Sequence, residues 1–298
     1  MEKTNQVMSA IALEISIRNI AVATDFGPWS DQAARHALLV ARQFGAAVHF
    51  LHAVRRSEFA LLPDLMIELD ELTKRDCEDF ISRLAALKDL DGVDTRCWNL
   101  DGEVSEVLEP VIREQNIDLL VLGTRGRTGI SKFLFGSMAE EICQSTSCPV
   151  LTVGPLCRRP SREVNVRRVL CVTDLSERSH AAVPYVLTAA RTWNAEIDLL
   201  QFDSHERSDL LGSIEDFGRA FKSGLPGEQL PSIRYHGATG KLSTAVLDHA
   251  RRNGDDLIVL GLARDRSVYG GQSSSDAYEI ICDARCPVLN VPHAPLRI

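Results

Sequence analysis

A glycine-rich stretch with three basic residues is the part of this sequence best suited to bind an anion. It runs from Gly123 to Ser137 and reads GTRGRTGISKFLFGS. Glycines permit positive φ and let backbone N–H groups approach a ligand without an intervening Cβ. Gly136 and Ser137 open a predicted helix, whose N-terminal N–H groups suit a phosphate. The stretch therefore predicts a polyphosphate-binding loop, with a plain strand-to-helix connection as the alternative.

A carboxylate at the end of the first predicted strand is the second chemical feature. Asp25 ends the run IAVATD, and the glycine-rich stretch follows the fourth predicted strand. In a doubly wound sheet, ligands bind beyond the carboxyl ends of the strands, where the strand order reverses. Asp25 alone is equally compatible with a cap on the following helix. Its predicted position beside the glycine-rich stretch favours a ligand site.

Other residues with reactive side chains do not combine into a catalytic set. The segment 237–241 (GATGK) has two residues between its glycines, where a P-loop needs four. His49 and His52 lie three apart on a predicted strand, so they face opposite sides and cannot share a metal. Cys148 and Cys286 precede predicted strands and are expected to be packed small residues rather than nucleophiles. The sequence predicts a binding protein and not an enzyme.

The composition of the 298 residues is that of an ordinary globular protein. Hydrophobic residues make up 45% and charged residues 25%, and no apolar run approaches the ~20 residues of a membrane span. The net charge is −8, and residues 1–157 carry the excess, with 15 Lys and Arg against 23 Asp and Glu. This balance argues against nucleic acid and anionic membranes as partners. Eight cysteines without a C-x-x-C pair, and no secretory signal, predict reduced thiols and a cytoplasmic location.

The elements that must position these residues form an internal repeat. Residues 20–25 (IAVATD) recur as 169–174 (VLCVTD), an offset of 149. Residues 118–123 (DLLVLG) recur as 256–261 (DLIVLG), an offset of 138. The second copy is therefore 11 residues shorter, and the loss falls between its second and third predicted strands.

Within each copy, short β-branched runs alternate with segments of helical period, which is typical of a parallel sheet. Strands of the first copy are predicted at 20–24, 47–54, 95–100, 118–123 and 149–153. Ser30 is predicted to cap the first helix, which ends at Gly45. The second helix has one apolar face, formed by Leu65, Leu69, Leu72, Phe80, Leu84 and Leu87. We therefore predict an α/β fold of two doubly wound, five-stranded parallel-sheet domains in tandem, residues 1–157 and 167–298.

Together these features resemble the universal stress protein family in its tandem, two-domain form, over nearly all of residues 17–291. The nucleotide loop of that family has the form G-x2-G-x9-G-[ST]. Four residues match its fixed positions: Gly123, Gly126, Gly136 and Ser137. One departure is Gly27, where the family often has Ser. The resemblance implies an adenine nucleotide alpha hydrolase-like fold.

The resemblance also implies an ATP site in the first domain, with any Mg²⁺ bound through the nucleotide. Adenine would rest against Ala53 and Val54. Ala23, Thr24 and Asp25 would lie near the ribose and the metal. The phosphates would be surrounded by residues of the fourth strand and the loop after it: Leu122, Gly123, Arg125, Gly126, Gly136, Ser137 and Met138.

The second copy departs from the loop pattern. Arg264 and Ser274 stand where the pattern has its second and third Gly. A Cβ at those positions would crowd the backbone approach to phosphates. Asp174 and Ser179 still match the pattern after the first strand. We therefore expect one nucleotide per chain, held by the first domain.

The function implied by the resemblance is that of a stress-response regulatory protein that binds ATP or a related adenine nucleotide. One alternative is a slow ATPase or phosphotransferase, and another is a scaffold that binds no nucleotide. Each copy ends in an apolar strand, at 149–153 or 287–291. Apolar strands at sheet edges tend to be paired or covered. We therefore expect the two copies to pack on each other as a pseudo-twofold unit, and the chain to form a homodimer.

Overall fold

The computed structural model describes residues 15–54, 63–86, 90–124, 142–143, 146–160, 165–175, 179–202, 218, 231–262 and 273–292. Two compact units make up the chain, the first built on Ser16–Pro155 and the second on Asn165–Ile298. Each unit contains five parallel strands, and each is described by itself.

The first unit is a five-stranded parallel sheet with helices between its strands. The strands are β1 (Asn19–Ala23), β2 (Ala47–Val54), β3 (Thr95–Asp101), β4 (Leu119–Gly123) and β5 (Val150–Val153). The described helices are α1 (Pro28–Phe44), α2 (Pro63–Ala86) and α3 (Val104–Glu114). The strands lie in the order β3-β2-β1-β4-β5, so the order reverses between β1 and β4.

The second unit repeats this arrangement. Its strands are β6 (Arg168–Thr173), β7 (Glu196–Phe202), β8 (Ile233–Ala238), β9 (Leu257–Leu262) and β10 (Val288–Pro292), in the order β8-β7-β6-β9-β10. A short 3-10 helix (Ser179–Ala182) leads into α4 (Val183–Trp193), followed along the chain by α5 (Leu242–Asn253) and α6 (Ser273–Asp283). The predicted fold class, two doubly wound five-stranded domains in tandem, is confirmed.

The central strands form the core of the first unit. Ile20, Ala21 and Val22 of β1 are fully buried, as are Leu120 and Val121 of β4. Strands covered by helices on both faces read as continuous apolar runs rather than alternating ones, which is why these segments were recognisable in the sequence.

The start of α1 differs from the sequence prediction. The helix begins at Pro28 with Gly27 as its N-cap residue, so Ser30 lies in the first turn and does not cap it. Proline suits the first helical position because its φ is already helical and no N–H is lost from the helix. The predicted end at Gly45 is confirmed, since Gly45 adopts φ 66° and its N–H bonds to the Ala41 carbonyl.

The apolar face of α2 is buried only in part. Phe80 and Leu84 are fully buried, whereas Leu65 is 39% exposed and Leu72 is 49% exposed. A helix of this length spans ~36 Å, and the longest strand of the sheet spans ~26 Å. Only part of the helix can therefore pack on the sheet. Leu87, which the sequence placed on the same face, lies outside the described residues.

Neither a disulfide nor a membrane-spanning helix occurs in the part of the chain that the structure describes. All eight cysteines are described, and each is a thiol. Cys148 and Cys286 are buried as predicted, and burial raises the pKa of Cys148 to about 11, which disfavours a nucleophilic thiolate. None of the described helices combines the length and the apolar composition needed to cross a bilayer.

Candidate functional site

A crevice lies where the order of the first sheet reverses. β1 and β4 are neighbours, and Ala23 pairs with Leu122 in their register. The chain leaves both strands at the same edge, through Thr24 after β1 and Thr124 after β4. The sheet thus brings Ala23, Thr24, Leu122 and Gly123 together, at the kind of position where doubly wound sheets bind ligands.

The turn after β1 has an unusual backbone conformation that its own side chains stabilise. Phe26 adopts φ 60°, a conformation that costs a non-glycine residue of order 1 kcal/mol or more. The Phe26 N–H donates to Thr24 Oγ1 at 2.9 Å, and the Gly27 N–H donates to Asp25 Oδ1 at 2.9 Å. Polar side chains next to the strand therefore hold the strained turn in place.

The carboxylate of Asp25 is anchored by α1. The Ser30 hydroxyl donates to Asp25 Oδ1 at 2.6 Å, and the Ser30 oxygen accepts the Asp25 N–H at 3.2 Å. The sequence left open whether Asp25 is a ligand residue or a helix cap. The N-cap residue is Gly27, without a side-chain capping bond, and Asp25 accepts the N–H of that residue from outside the helix. Asp25 thus organises the turn rather than capping α1.

Two residues that the sequence analysis did not connect with this turn complete it. His52 Nδ1 lies 2.8 Å from the Thr24 carbonyl oxygen and is the donor, because a carbonyl can only accept. Arg83 of α2 donates to the Phe26 carbonyl at 2.9 Å and also pairs with Asp31. These contacts span 28 and 57 positions of the sequence. No local pattern could have indicated them.

Gly123 has a packing role that its place in a loop motif did not suggest. A Cβ built on Gly123 would lie 2.9 Å from the carbonyl oxygen of Trp29. The first turn of α1 therefore approaches β4 so closely that only glycine fits at this position. The next residue, Thr124, is buried, and its hydroxyl has no hydrogen-bond partner among the residues that the structure describes. This buried hydroxyl lies at the very start of the glycine-rich stretch.

The remaining predicted site residues are divided between described and undescribed segments. Ala53 and Val54 end β2, next to β1, and are half-buried, and the Val54 carbonyl accepts the Gly102 N–H at 3.0 Å. Five predicted phosphate residues lie outside the described part of the chain: Arg125, Gly126, Gly136, Ser137 and Met138. Their roles stay predictions.

The second unit keeps the same turn after its first strand. Leu175 adopts φ 61°, and its N–H donates to Thr173 Oγ1 at 2.9 Å. The Thr173 and Ser179 hydroxyls lie 2.9 Å apart. Of the two residues that break the loop pattern, Arg264 lies outside the described residues and Ser274 lies in the first turn of α6.

Comparisons with known proteins agree with this geometry. The sequence model of the Universal stress protein family matches residues 16–154 and 165–292. A universal stress protein of Methanocaldococcus jannaschii is 31% identical over 148 residues, which cover 49% of this chain and 85% of that protein. Universal stress protein A homolog 1 of Coxiella burnetii is 27% identical over 142 residues, covering 46% and 95% of the two chains. A crystal structure of a universal stress protein from Archaeoglobus fulgidus has a similar fold, with a TM-score of 0.71, 18% identity and 95% and 99% coverage.

Proposed function

This chain belongs to the universal stress protein family, with two domains in tandem, and on that premise we propose that its first unit is a regulatory module that binds ATP. The nucleotide would lie in the crevice between the ends of β1 and β4. Binding of the nucleotide would change the conformation of the protein or its choice of partner, and turnover of the nucleotide would not be needed.

The crevice carries this proposal because it is preorganised. The backbone of the turn after β1 is held at the Thr24 carbonyl, the Phe26 N–H and carbonyl and the Gly27 N–H. A site whose groups are fixed before binding loses less conformational entropy when the ligand arrives. The buried Thr124 hydroxyl, which has no partner in the described part of the chain, is a polar group that a bound ligand or water would satisfy.

The glycine pattern supports phosphate as the anionic part of the ligand. Gly123, Gly126, Gly136 and Ser137 keep the spacing of a nucleotide loop, and Gly123 begins it at the reversal of strand order. Asp25 would face the ribose and a Mg²⁺ ion held by the phosphates, since carboxylate oxygens suit that ion. Ala53 and Val54 would contact the adenine along the end of β2.

Binding rather than catalysis is the activity that the turn supports best. The polar side chains of Thr24, Asp25 and Ser30 form hydrogen bonds that hold the backbone. A general base would instead need to be directed at an attacking group.

The thiols of all eight cysteines suit a reducing compartment, so we propose a cytoplasmic location for the module.

The experiment that tests this function is identification of the nucleotide that copurifies with the full chain. Protein purified without added nucleotide is denatured, and the released small molecules are identified by mass spectrometry. We expect an adenine nucleotide from the natural chain and none from Gly136→Val, with Ser274→Val as the matched control that retains it. Absence of any adenine nucleotide, combined with no binding of added ATP, would favour the scaffold alternative.

A further inference from the structure

A cluster of metal-ligating side chains lies in the second unit, away from the strand-end crevices. Asp198 is the third residue of β7, and His236 lies on the neighbouring strand β8. His249 reaches the same place from α5. Each side chain offers one potential ligand atom, a ring nitrogen or a carboxylate oxygen, and these three atoms lie within 4.8 Å of one another.

The distances in this cluster fit the coordination sphere of a small divalent ion. His236 Nε2 lies 3.4 Å from Asp198 Oδ1, and His249 Nε2 lies 3.4 Å from Asp198 Oδ2. In a tetrahedral zinc site with bonds of ~2.0–2.1 Å, two ligand atoms lie ~3.3–3.4 Å apart. Each histidine nitrogen is therefore already as far from its nearer Asp198 oxygen as two ligand atoms of one zinc ion are from each other.

Asp255 is a second buried carboxyl group beside the cluster. Both of its carboxylate oxygens are buried, and no described residue donates a hydrogen bond to either. Asp255 Oδ2 lies 3.8 Å from His249 Nε2, so the unpartnered carboxylate borders the cluster. A buried carboxylate without a donor is costly unless it meets a cation.

From this geometry we propose that the second unit binds a divalent transition-metal ion, with Zn²⁺ as its representative, through His236, His249 and Asp198. The Asp255 carboxyl lies beside this set, next to His249. Imidazole nitrogens favour zinc and related transition metals over magnesium and calcium, which prefer oxygen ligands.

Arg234 positions the central carboxylate. Its Nε and Nη2 groups donate to Asp198 Oδ1 and Oδ2, each at 2.7 Å. A carboxylate oxygen has two lone pairs, and the second one on each oxygen faces a histidine, His236 Nε2 at Oδ1 and His249 Nε2 at Oδ2. A metal ion would take up these second positions together with the histidine nitrogens. Outer partners of this kind commonly orient metal ligands.

The first unit shows that the fold does not require this cluster. At the repeat offsets, the positions of Asp198, His236, His249 and Asp255 are occupied by His49, Trp98, Val111 and Ile117. Val111 and Ile117 are buried in an apolar core cluster, and Trp98 Nε1 donates to His49 Nδ1 at 3.1 Å. The second unit thus has a histidine and an aspartate where the first unit has two apolar core residues. Burying these polar side chains costs free energy, and metal binding would offset that cost.

An ion can reach the cluster from solvent. A cavity of about 540 Å³ is lined by both histidines together with Tyr235, Asp248 and Arg252. The His236 side chain is 30% exposed, whereas that of Asp198 is fully buried. The cluster therefore combines a buried anionic ligand with an open side, as in metal sites that keep a position for water.

The test measures metal binding by the metal-free full chain and by matched variants. Zn²⁺ content is determined by mass spectrometry after equilibrium dialysis, and Co²⁺ is used as a spectroscopic probe. We expect one ion per chain, with the absorption of nitrogen and oxygen ligands. His236→Gln should weaken binding by about tenfold or more, as loss of a ligand or its support does. The double variant His249→Val/Asp255→Ile carries the residues of the first unit, so it should fold and bind no ion.

His49→Gln is the control, because His49 occupies the position of Asp198 in the first unit, and it should bind as the natural chain does. Two results would overturn the proposal. The first is no stoichiometric Zn²⁺ or Co²⁺ in the natural chain. The second is binding that survives in both the His236→Gln and the His249→Val/Asp255→Ile chains, or that shows thiolate charge transfer, since either would locate the ion on cysteines.

Discussion

At the scale of single residues, Asp25 combines a structural role with the proposed ligand role. Its Oδ1 atom accepts hydrogen bonds from the Gly27 N–H and the Ser30 hydroxyl, which hold the strained Phe26 backbone in place. Removing the whole carboxylate would therefore disturb the turn as well as any ligand. A substitution that keeps an acceptor oxygen but removes the charge separates the two roles.

Asp25→Asn is expected to weaken the binding of ATP with Mg²⁺ by about tenfold while the melting temperature stays nearly unchanged. The amide oxygen can still accept both hydrogen bonds, but the negative charge for the metal is lost. Asp25→Ala should lower stability as well, by about 1 kcal/mol, because two buried donors lose their acceptor. Binding is measured by calorimetry and stability by thermal unfolding. Unchanged affinity in the Asn variant would remove Asp25 from the ligand site.

At the scale of elements, short apolar runs were enough to predict the strands. The observed β2 has the predicted bounds, β3, β4 and β5 differ from the prediction by one residue at one end, and β1 is shifted by one residue. Contacts between distant segments were not predictable, because nothing in the local pattern connects His52 or Arg83 with the turn after β1. The packing role of Gly123 also depends on Trp29, which is 94 residues away in the sequence and adjacent in the fold.

One such long-range contact holds the segment that leads into β5. Glu109 of α3 accepts hydrogen bonds from the Ser147 hydroxyl at 2.7 Å and the Ser147 N–H at 3.1 Å, and from Arg113 at 3.0 Å. Burial alone would raise the pKa of Glu109, but the bonds from Ser147 and Arg113 outweigh it and lower the pKa. The ionised form therefore stabilises the fold.

Glu109→Gln is expected to lower the free energy of unfolding by about 1 kcal/mol at neutral pH. A lowered pKa in the folded state gives stability that is present above the ordinary pKa of glutamate and is lost as the pH falls through the folded value. The difference between the two chains should accordingly shrink below about pH 4.5. Denaturant unfolding at several pH values measures it. Glu114→Gln, on the exposed end of α3, is the control, and an equal pH-dependent loss there would contradict the role of Glu109.

At the scale of the whole molecule, two copies of one fold have diverged at different places. Both keep the strained turn after the first strand, at Phe26 and Leu175. The first copy keeps the glycine loop pattern, whereas the second lacks it. The second copy instead has His249 on α5 and Asp255 just after that helix, where the first copy has apolar core residues. The divergence of the loop could be predicted from the sequence, because its glycine pattern is local. The metal-ligating cluster was missed, because its residues come from two strands, a helix and a loop.

Assembly of two chains remains a prediction from the apolar final strands of each copy. We expect sedimentation equilibrium to give a mass twice the 32.9 kDa of the chain. A mass of one chain over a wide range of concentrations would exclude the homodimer.

Titration calorimetry of the full chain with ATP and Mg²⁺ decides where the nucleotide binds. We expect close to one site per chain. Gly136→Val should abolish binding, because a branched side chain would block the backbone N–H groups of the loop, and Ser274→Val should leave it unchanged. Two equal sites per chain, or loss of binding only in Ser274→Val, would contradict a nucleotide site in the first unit.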